Sequence, residues 1–327
     1  MKILSKDYKI VDTFDNIITV PDCFVLGQNK VGRGHGEAKL YFGPKTAMRE
    51  FYGVSGFKVN CFVVKSDLLE YHHLVKKEYY NPSQNYIGKD KFKEIWKERL
   101  DYINTFDEVI EFTVEDQYQI EGDRGYINSS DPGYRLIREI SLSQISFISA
   151  MKLQLGTKIK YYWKLFVDFD RMSELQEALV YNYGRKKDAS TTSREGKVVD
   201  AVIKARIGQG RYREQLLQEC PFCPITMVND ERLLIASHIK PWSMSTSKEK
   251  VDPKNGYMFT PLYDKLFDKG FITFTEDKRM VVSDWLSPKN RKRLNLDNDK
   301  QYPFLLMDDQ RKQYLEFHRT TIFKGQL

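Results

Sequence analysis

Two runs, Leu233–Trp242 (LLIASHIKPW) and Asn255–Phe274 (NGYMFTPLYDKLFDKGFITF), hold the pattern that decides the fold of this chain. Arg232 to Ala236 is apolar and reads as a strand, Pro241 and Trp242 sit in a loop, and Asn255-Gly256 makes a turn. Pro261 to Phe267 reads as a helix. Phe271 to Phe274 and Met280 to Val282 form a closing pair of strands across the charged turn Glu276 to Arg279. Just upstream, ARIGQGRYREQLL and CPFCPIT lie on or beside two short helices expected over Val198–Ile207 and Gly210–Glu219.

Taken in order, these pieces resemble the HNH endonuclease family, in the branch whose first motif reads A-S/A-H-I-x-P-W and whose last reads N-G, then L-F-D-x-G. Here those are Ala236-Ser237-His238-Ile239-Lys240-Pro241-Trp242, Asn255-Gly256 and Leu266-Phe267-Asp268-Lys269-Gly270. The resemblance is confined to the C-terminal third. It implies a small strand-strand-helix (ββα-metal) unit around one divalent cation, Mg²⁺ or Mn²⁺, acting on double-stranded DNA. Each residue type has a physical reason to be there. Phosphodiester cleavage needs a deprotonated water, and a neutral imidazole titrating near pH 7 suits that task, which assigns His238 as general base. The negative charge that builds on the oxygens of the phosphorane-like transition state and on the leaving oxygen needs a hard cation held by oxygen ligands.

The resemblance draws those ligands from the residue before the histidine, from the Asn position or from the following helix. Asp264 and Asp268 lie one helical turn apart, so both carboxylates can face one ion, unless they pair with Lys265 or Lys269 instead. The position before the histidine is Ser237 where many relatives carry Asp or His. Asn255 either orients His238 or the loop that carries it, or makes the Asn-Gly turn. Cys220 and Cys223 form a lone C-x-x-C. A structural zinc there would need unusual further donors such as His72, His73, His318, Cys23 or Cys61, and the alternative is two small buried thiols. Arg206, Gln209, Arg211, Arg213 and Lys240 are candidate DNA contacts, with Lys289 to Arg293 a further basic run. Arg213 could equally pair with Glu214 or Glu219.

Further from the motif, the polar run 183–197 reads as a linker. The layout expected is α+β: a mixed α/β recognition or targeting domain over 1–182, the linker, the nuclease domain over 198–295 and a C-terminal extension over 296–327. In the first part, strands are expected near Ile17–Val20, Val59–Val64, Glu108–Val114 and Lys158–Phe169. Helices are expected after a Ser66 cap and over Lys91–Ile103. The glycine-rich stretch Val31–Glu37 lacks the ordered spacing of a nucleotide fingerprint.

Composition is compatible with all of this. Of 327 residues 41% are hydrophobic and 30% charged, which suits a folded chain with a well-solvated surface. No apolar run is long enough for a membrane span, and no signal-peptide core opens the chain, so the expectation is a cytoplasmic protein with reduced thiols. The net charge of +7 favours a polyanionic partner. A cutting domain attached to a longer upstream domain points to a type II-like restriction endonuclease. The alternatives are a defence nuclease that senses modified bases or a signal, and a DNA-binding regulator with an inactive HNH fold. A palindromic target would imply a homodimer.

Overall fold

The computed structural model describes residues 1–15, 18–20, 40–84, 86, 89–117, 122–169 and 210–325. The 31–37 loop, Cys23, the 183–197 run, the helix expected over 198–207, Arg206 and Gln209 lie outside them. Two compact units divide the chain, Met1–Asp168 and Phe169–Leu327.

In the first unit a sheet closes on itself. A small hairpin of β1 (Lys2–Ile3) and β2 (Lys6–Asp7) precedes it. The ring is made by β4 (Ile18–Thr19), β5 (Leu40–Pro44), β6 (Lys58–Val64), β7 (Val109–Asp116), β8 (Arg124–Asn128), β9 (Ser146–Leu155) and β10 (Lys158–Val167), while β3 (Lys9–Thr13) lies beside β9. Pairing runs β10-β6-β7-β8-β5-β4-β9, and β9 pairs back with β10 along its whole length. All neighbours are antiparallel except β6 and β10, which run parallel through two residue pairs. The tight β9–β10 turn places Gly156 at φ 61°, a conformation that suits glycine. Side chains from opposite sides of the ring meet inside it: Trp163 of β10 packs against Phe42 of β5 and Phe112 of β7, and its indole N–H donates to the Tyr52 hydroxyl at 3.0 Å.

Helices α1 (Lys45–Tyr52), α2 (Lys65–Leu74), α3 (Lys76–Tyr80), α4 (Phe92–Asn104) and α5 (Pro132–Ile140) pack on this sheet or on one another. The α4 periodicity holds, with Phe92, Trp96 and Ile103 buried. Ser66 does not cap α2. The extended residue before that helix is Val64, and the Ser66 N–H donates instead to the Glu108 carboxylate at 3.2 Å.

The second unit begins, among the described residues, with helix α6 (210–219). Glu231–Leu233 form a 3-10 turn capped by Asp230, so the strand expected from Arg232 starts later, as β11 (Ile235–His238). It pairs with β12 (Gly256–Phe259), and α7 (Pro261–Asp268) follows and packs on both. Then come β13 (Ile272–Phe274) with β14 (Met280–Val282), α8 (Pro288–Arg293) and α9 (Asp309–Phe317), which runs into a π turn at His318–Ile322. One core joins Leu216, Met258, Phe259, Phe267 and Phe274, and the 296–327 segment supplies Tyr302, Leu305 and Leu315 to it. The motif glycine Gly270 has φ 68° after α7, and a side chain there would meet the Ile322 carbonyl at 2.0 Å. It closes the helix and admits the C-terminal segment together. No helix among the described residues is long and apolar enough to cross a membrane.

Candidate active site

His238 is the last residue of β11, directly across from Gly256. Its Nε2 lies 3.1 Å from the Lys250 carbonyl oxygen. A carbonyl only accepts, so Nε2 carries the proton and the Nδ1 lone pair is left outside any hydrogen bond among the described residues. The imidazole stacks on Tyr212 of α6 at 4.2 Å and 12°, and meets Trp242 edge-on at 5.6 Å. The Lys250 ammonium sits over that indole at 4.9 Å. Burial, aided by the nearby Lys250 ammonium, lowers the His238 pKa to about 4, so the ring is neutral across the whole neutral range rather than titrating near pH 7.

Asn255 is fully buried, and its amide binds the loop rather than the imidazole. Its Oδ1 accepts from the Lys240 N–H at 2.8 Å, and its Nδ2 faces the Lys240 and Glu249 carbonyls at 3.2 and 3.1 Å and the Ser245 hydroxyl at 3.3 Å. Its own carbonyl takes the Ile239 N–H and the Tyr212 hydroxyl, both at 3.0 Å. The loop that delivers the Lys250 carbonyl to His238 is therefore tied at both ends to one side chain.

The α7 carboxylates differ from each other. Asp264 is half-buried and lies within electrostatic reach of Tyr212, whose phenol is pushed far above its ordinary range chiefly by burial. Asp268 has the Lys265 and Lys269 ammonium groups 4.0 and 3.8 Å away. Ser237 is buried, and strand alternation turns its side chain to the face opposite His238. Among the described residues no three His, Cys, Asp or Glu side chains group as a complete protein cage for a metal would require. Two carboxylates on one helix suit an ion that completes its shell with water and substrate phosphate, as Mg²⁺ does.

Apart from Tyr212 of α6, the residues of this geometry lie in the stretch from the Cys223 loop through β13. Residues 223–275 match the HNH endonuclease family. The match ties the segment to a family of nucleases, enzymes that hydrolyse phosphodiester bonds. No curated protein matches the chain.

Around the HNH segment, the remaining candidates sort by what they touch. Arg211 is exposed. Arg213 donates to the Leu234 and Glu231 carbonyls at 2.7 and 2.6 Å, pinning α6 to the approach of β11 rather than pairing with Glu214 or Glu219. Lys240 pairs with Glu249 at 2.8 Å. On α8, Arg291 is drawn inward to Asp284 and the Ser283 carbonyl, while Lys289, Lys292 and Arg293 are exposed at spacings that share one helix face. Cys220 and Cys223 are buried free thiols in a loop closed by its own backbone, the Cys220 thiol facing the Phe222 carbonyl at 3.2 Å. The other donors considered for zinc are engaged elsewhere: His72 donates to the Trp96 carbonyl, His73 bonds the Leu69 carbonyl, His318 is held between Thr273 and the Phe267 carbonyl, and Cys61 is buried in β6 of the first unit.

Two residues that build the site carry no mark in the sequence. Tyr212 lies in the run ARIGQGRYREQLL, but within it only a place in the apolar α6 repeat with Leu216 sets it apart. Arg311, 1% exposed, binds Glu219 at 2.5 Å, Asp308, and the Pro253 and Gly256 carbonyls at 3.1 and 3.4 Å, which anchors α9 beside the turn preceding β12. Nothing local distinguishes it from a surface arginine.

Proposed function

We propose that this protein is a metal-dependent endonuclease that hydrolyses phosphodiester bonds in double-stranded DNA, with His238 as general base and a role in sequence-specific restriction. The observation that carries the reading is the Lys250 carbonyl on Nε2, within a segment that matches a nuclease family. That bond fixes one tautomer of a neutral imidazole and leaves Nδ1 to take a proton from water. Asp264 and Asp268 would hold Mg²⁺ or Mn²⁺, which supplies Lewis-acid stabilisation of the leaving oxygen. Charge supports a division of labour. Residues 1–168 carry 24 Lys and Arg against 23 Asp and Glu, and residues 169–327 carry 28 against 22. The cationic excess that draws a phosphate backbone thus lies in the unit that contains the HNH segment, and the near-neutral barrel is left to recognise a short sequence or a modified base.

A second reading, an inactive HNH fold in a DNA-binding regulator, rests on the side chains already engaged internally: Asn255, Lys240 and Arg213. The test is cleavage of unmodified and cytosine-modified duplex DNA with Mg²⁺, Mn²⁺ or EDTA, using the full chain and His238→Ala. Discrete metal-dependent fragments from unmodified DNA, lost in His238→Ala with binding retained, support restriction. Fragments confined to modified DNA move the barrel to a sensing role. Equal behaviour of the variant and the native chain overturns the catalytic reading.

A further inference from the structure

The contacts around Tyr212 do more than fill space. Its ring lies nearly parallel to His238 at 4.2 Å, while its hydroxyl donates to the Asn255 carbonyl at 3.0 Å and approaches the Ser237 carbonyl at 3.4 Å. Ser237 precedes His238, and Asn255 precedes its cross-strand partner Gly256. One phenol therefore sits between the carbonyls that precede His238 and its cross-strand partner Gly256, and covers one face of the imidazole. The space for it exists because residue 256 has no side chain: a Cβ there would lie 1.8 Å from the Tyr212 oxygen. The φ of Gly256 is −166°, ordinary extended backbone, so the glycine serves clearance rather than conformation.

We propose that Tyr212 is the positioning residue of His238, fixing the plane of the imidazole about the Nε2–Lys250 bond and sustaining the imidazolium that forms when Nδ1 takes the proton of water. The inference rests on the reading of His238 as general base. A single hydrogen bond to Nε2 leaves the ring free to rotate about the bond axis, and a parallel ring at stacking distance removes that freedom. The face of a phenol is the negative end of its quadrupole, so the same packing attracts the ring once it becomes cationic. Trp242, nearly perpendicular to the imidazole at 5.6 Å, limits motion from a second side.

The experiment compares Tyr212→Phe, which keeps the ring and removes the hydroxyl, with Tyr212→Met, which keeps apolar bulk and removes the ring. In the full chain with Mg²⁺ and duplex DNA, Tyr212→Met is expected to lose about 100-fold in kcat with KM nearly unchanged, and Tyr212→Phe to recover most of it. Independently of activity, the His238 Cε1–H resonance, assigned by its loss in His238→Ala, should show the upfield ring-current displacement of a stacked imidazole in the native chain and in Tyr212→Phe but not in Tyr212→Met. Should Tyr212→Met fail to fold, pentafluorophenylalanine at position 212 keeps the shape and reverses the quadrupole, and it should lose kcat likewise. Wild-type kcat in a folded Met or pentafluoro variant overturns the proposal while His238→Ala remains inactive. His238→Ala cutting at the wild-type rate overturns the general-base reading and this proposal with it.

Discussion

Tyr212 and Gly256 occupy one another's space: the phenol oxygen lies where a Cβ of residue 256 would project. The Asn-Gly pair of the family motif thus has two separate duties. Asn255 ties the loop, and Gly256 clears room for the aromatic ring beside the histidine. Gly256→Ala should displace Tyr212, destabilise the second unit by about 2 kcal/mol through overpacking and cut the rate of DNA cleavage. Urea denaturation and a cleavage time course check both parts. An alanine variant with native stability and native rate would show that the close approach is of no consequence.

Asn255→Ala leaves the Lys240 N–H and the Lys240 and Glu249 carbonyls without their buried partner. The expected cost is about 3 kcal/mol, with faster hydrogen exchange at the Lys240 amide before global unfolding. Asn255→Asp keeps the acceptor but turns a carboxylate oxygen toward the Lys240 and Glu249 carbonyls in a buried site, so it should cost at least as much as alanine.

Arg311→Ala removes a buried guanidinium from Glu219, Asp308 and two carbonyls, and should destabilise the unit by about 3 kcal/mol. Arg311→Lys should recover little, because an ammonium restores the charge but not the fork that spans four acceptors. Chemical denaturation of the three proteins side by side decides it.

Much of this is legible from local pattern, and the exceptions have causes. The helix and closing strands of the HNH segment show in its apolar runs and in Pro261, because each element is specified by its own neighbours, whereas the turn expected at Asn255-Gly256 falls earlier, as a 3-10 turn at Pro253–Asn255, and Gly256 already opens β12. Strand β9, SFISAMKLQL, does not stand out as a strand in the sequence, since its polar positions and its Met and Ala residues weaken the alternation that marks one. Tyr212 and Arg311 owe their roles to partners about 25 to 90 residues away, and no window of sequence contains those pairings. Lys240 and Arg213 look like DNA contacts as isolated cations, yet fold geometry gives them acceptors inside the protein.

Acid should weaken the second unit before it affects any catalytic step. His318 is held neutral by burial, stacked on Phe267 at 3.8 Å, with its pKa lowered to about 4. In the unfolded chain the same ring protonates near pH 6.5. Between those values the unfolded state binds more protons, so stability present above pH 6.5 is lost as pH falls toward 4, by up to about 3 kcal/mol from this residue. His318→Phe should reduce that slope, leaving the part that comes from buried His238, as measured by thermal melts from pH 7.5 to 4.5. An unchanged slope would falsify the assignment.

The exposed face of α8 offers a test of the DNA side. Replacing Lys289, Lys292 and Arg293 together by Ala should weaken duplex binding alike for all sequences and lower the salt dependence of log K by about 1 for each phosphate no longer neutralised. The thermal midpoint should stay in place, since none of the three is buried.

The barrel has a consequence for how the protein is made. Its ring closes only through β10, which supplies the neighbour of both β6 and β9, and β10 ends at Val167. A ribosome that has released β3 through β8 still holds a sheet with two open edges, and β3 must wait for a strand roughly 140 residues later in the chain. The first unit therefore cannot complete during its own synthesis until the segment joining it to the second unit is already being translated, and chaperone capture of the nascent chain should be greatest just before that point.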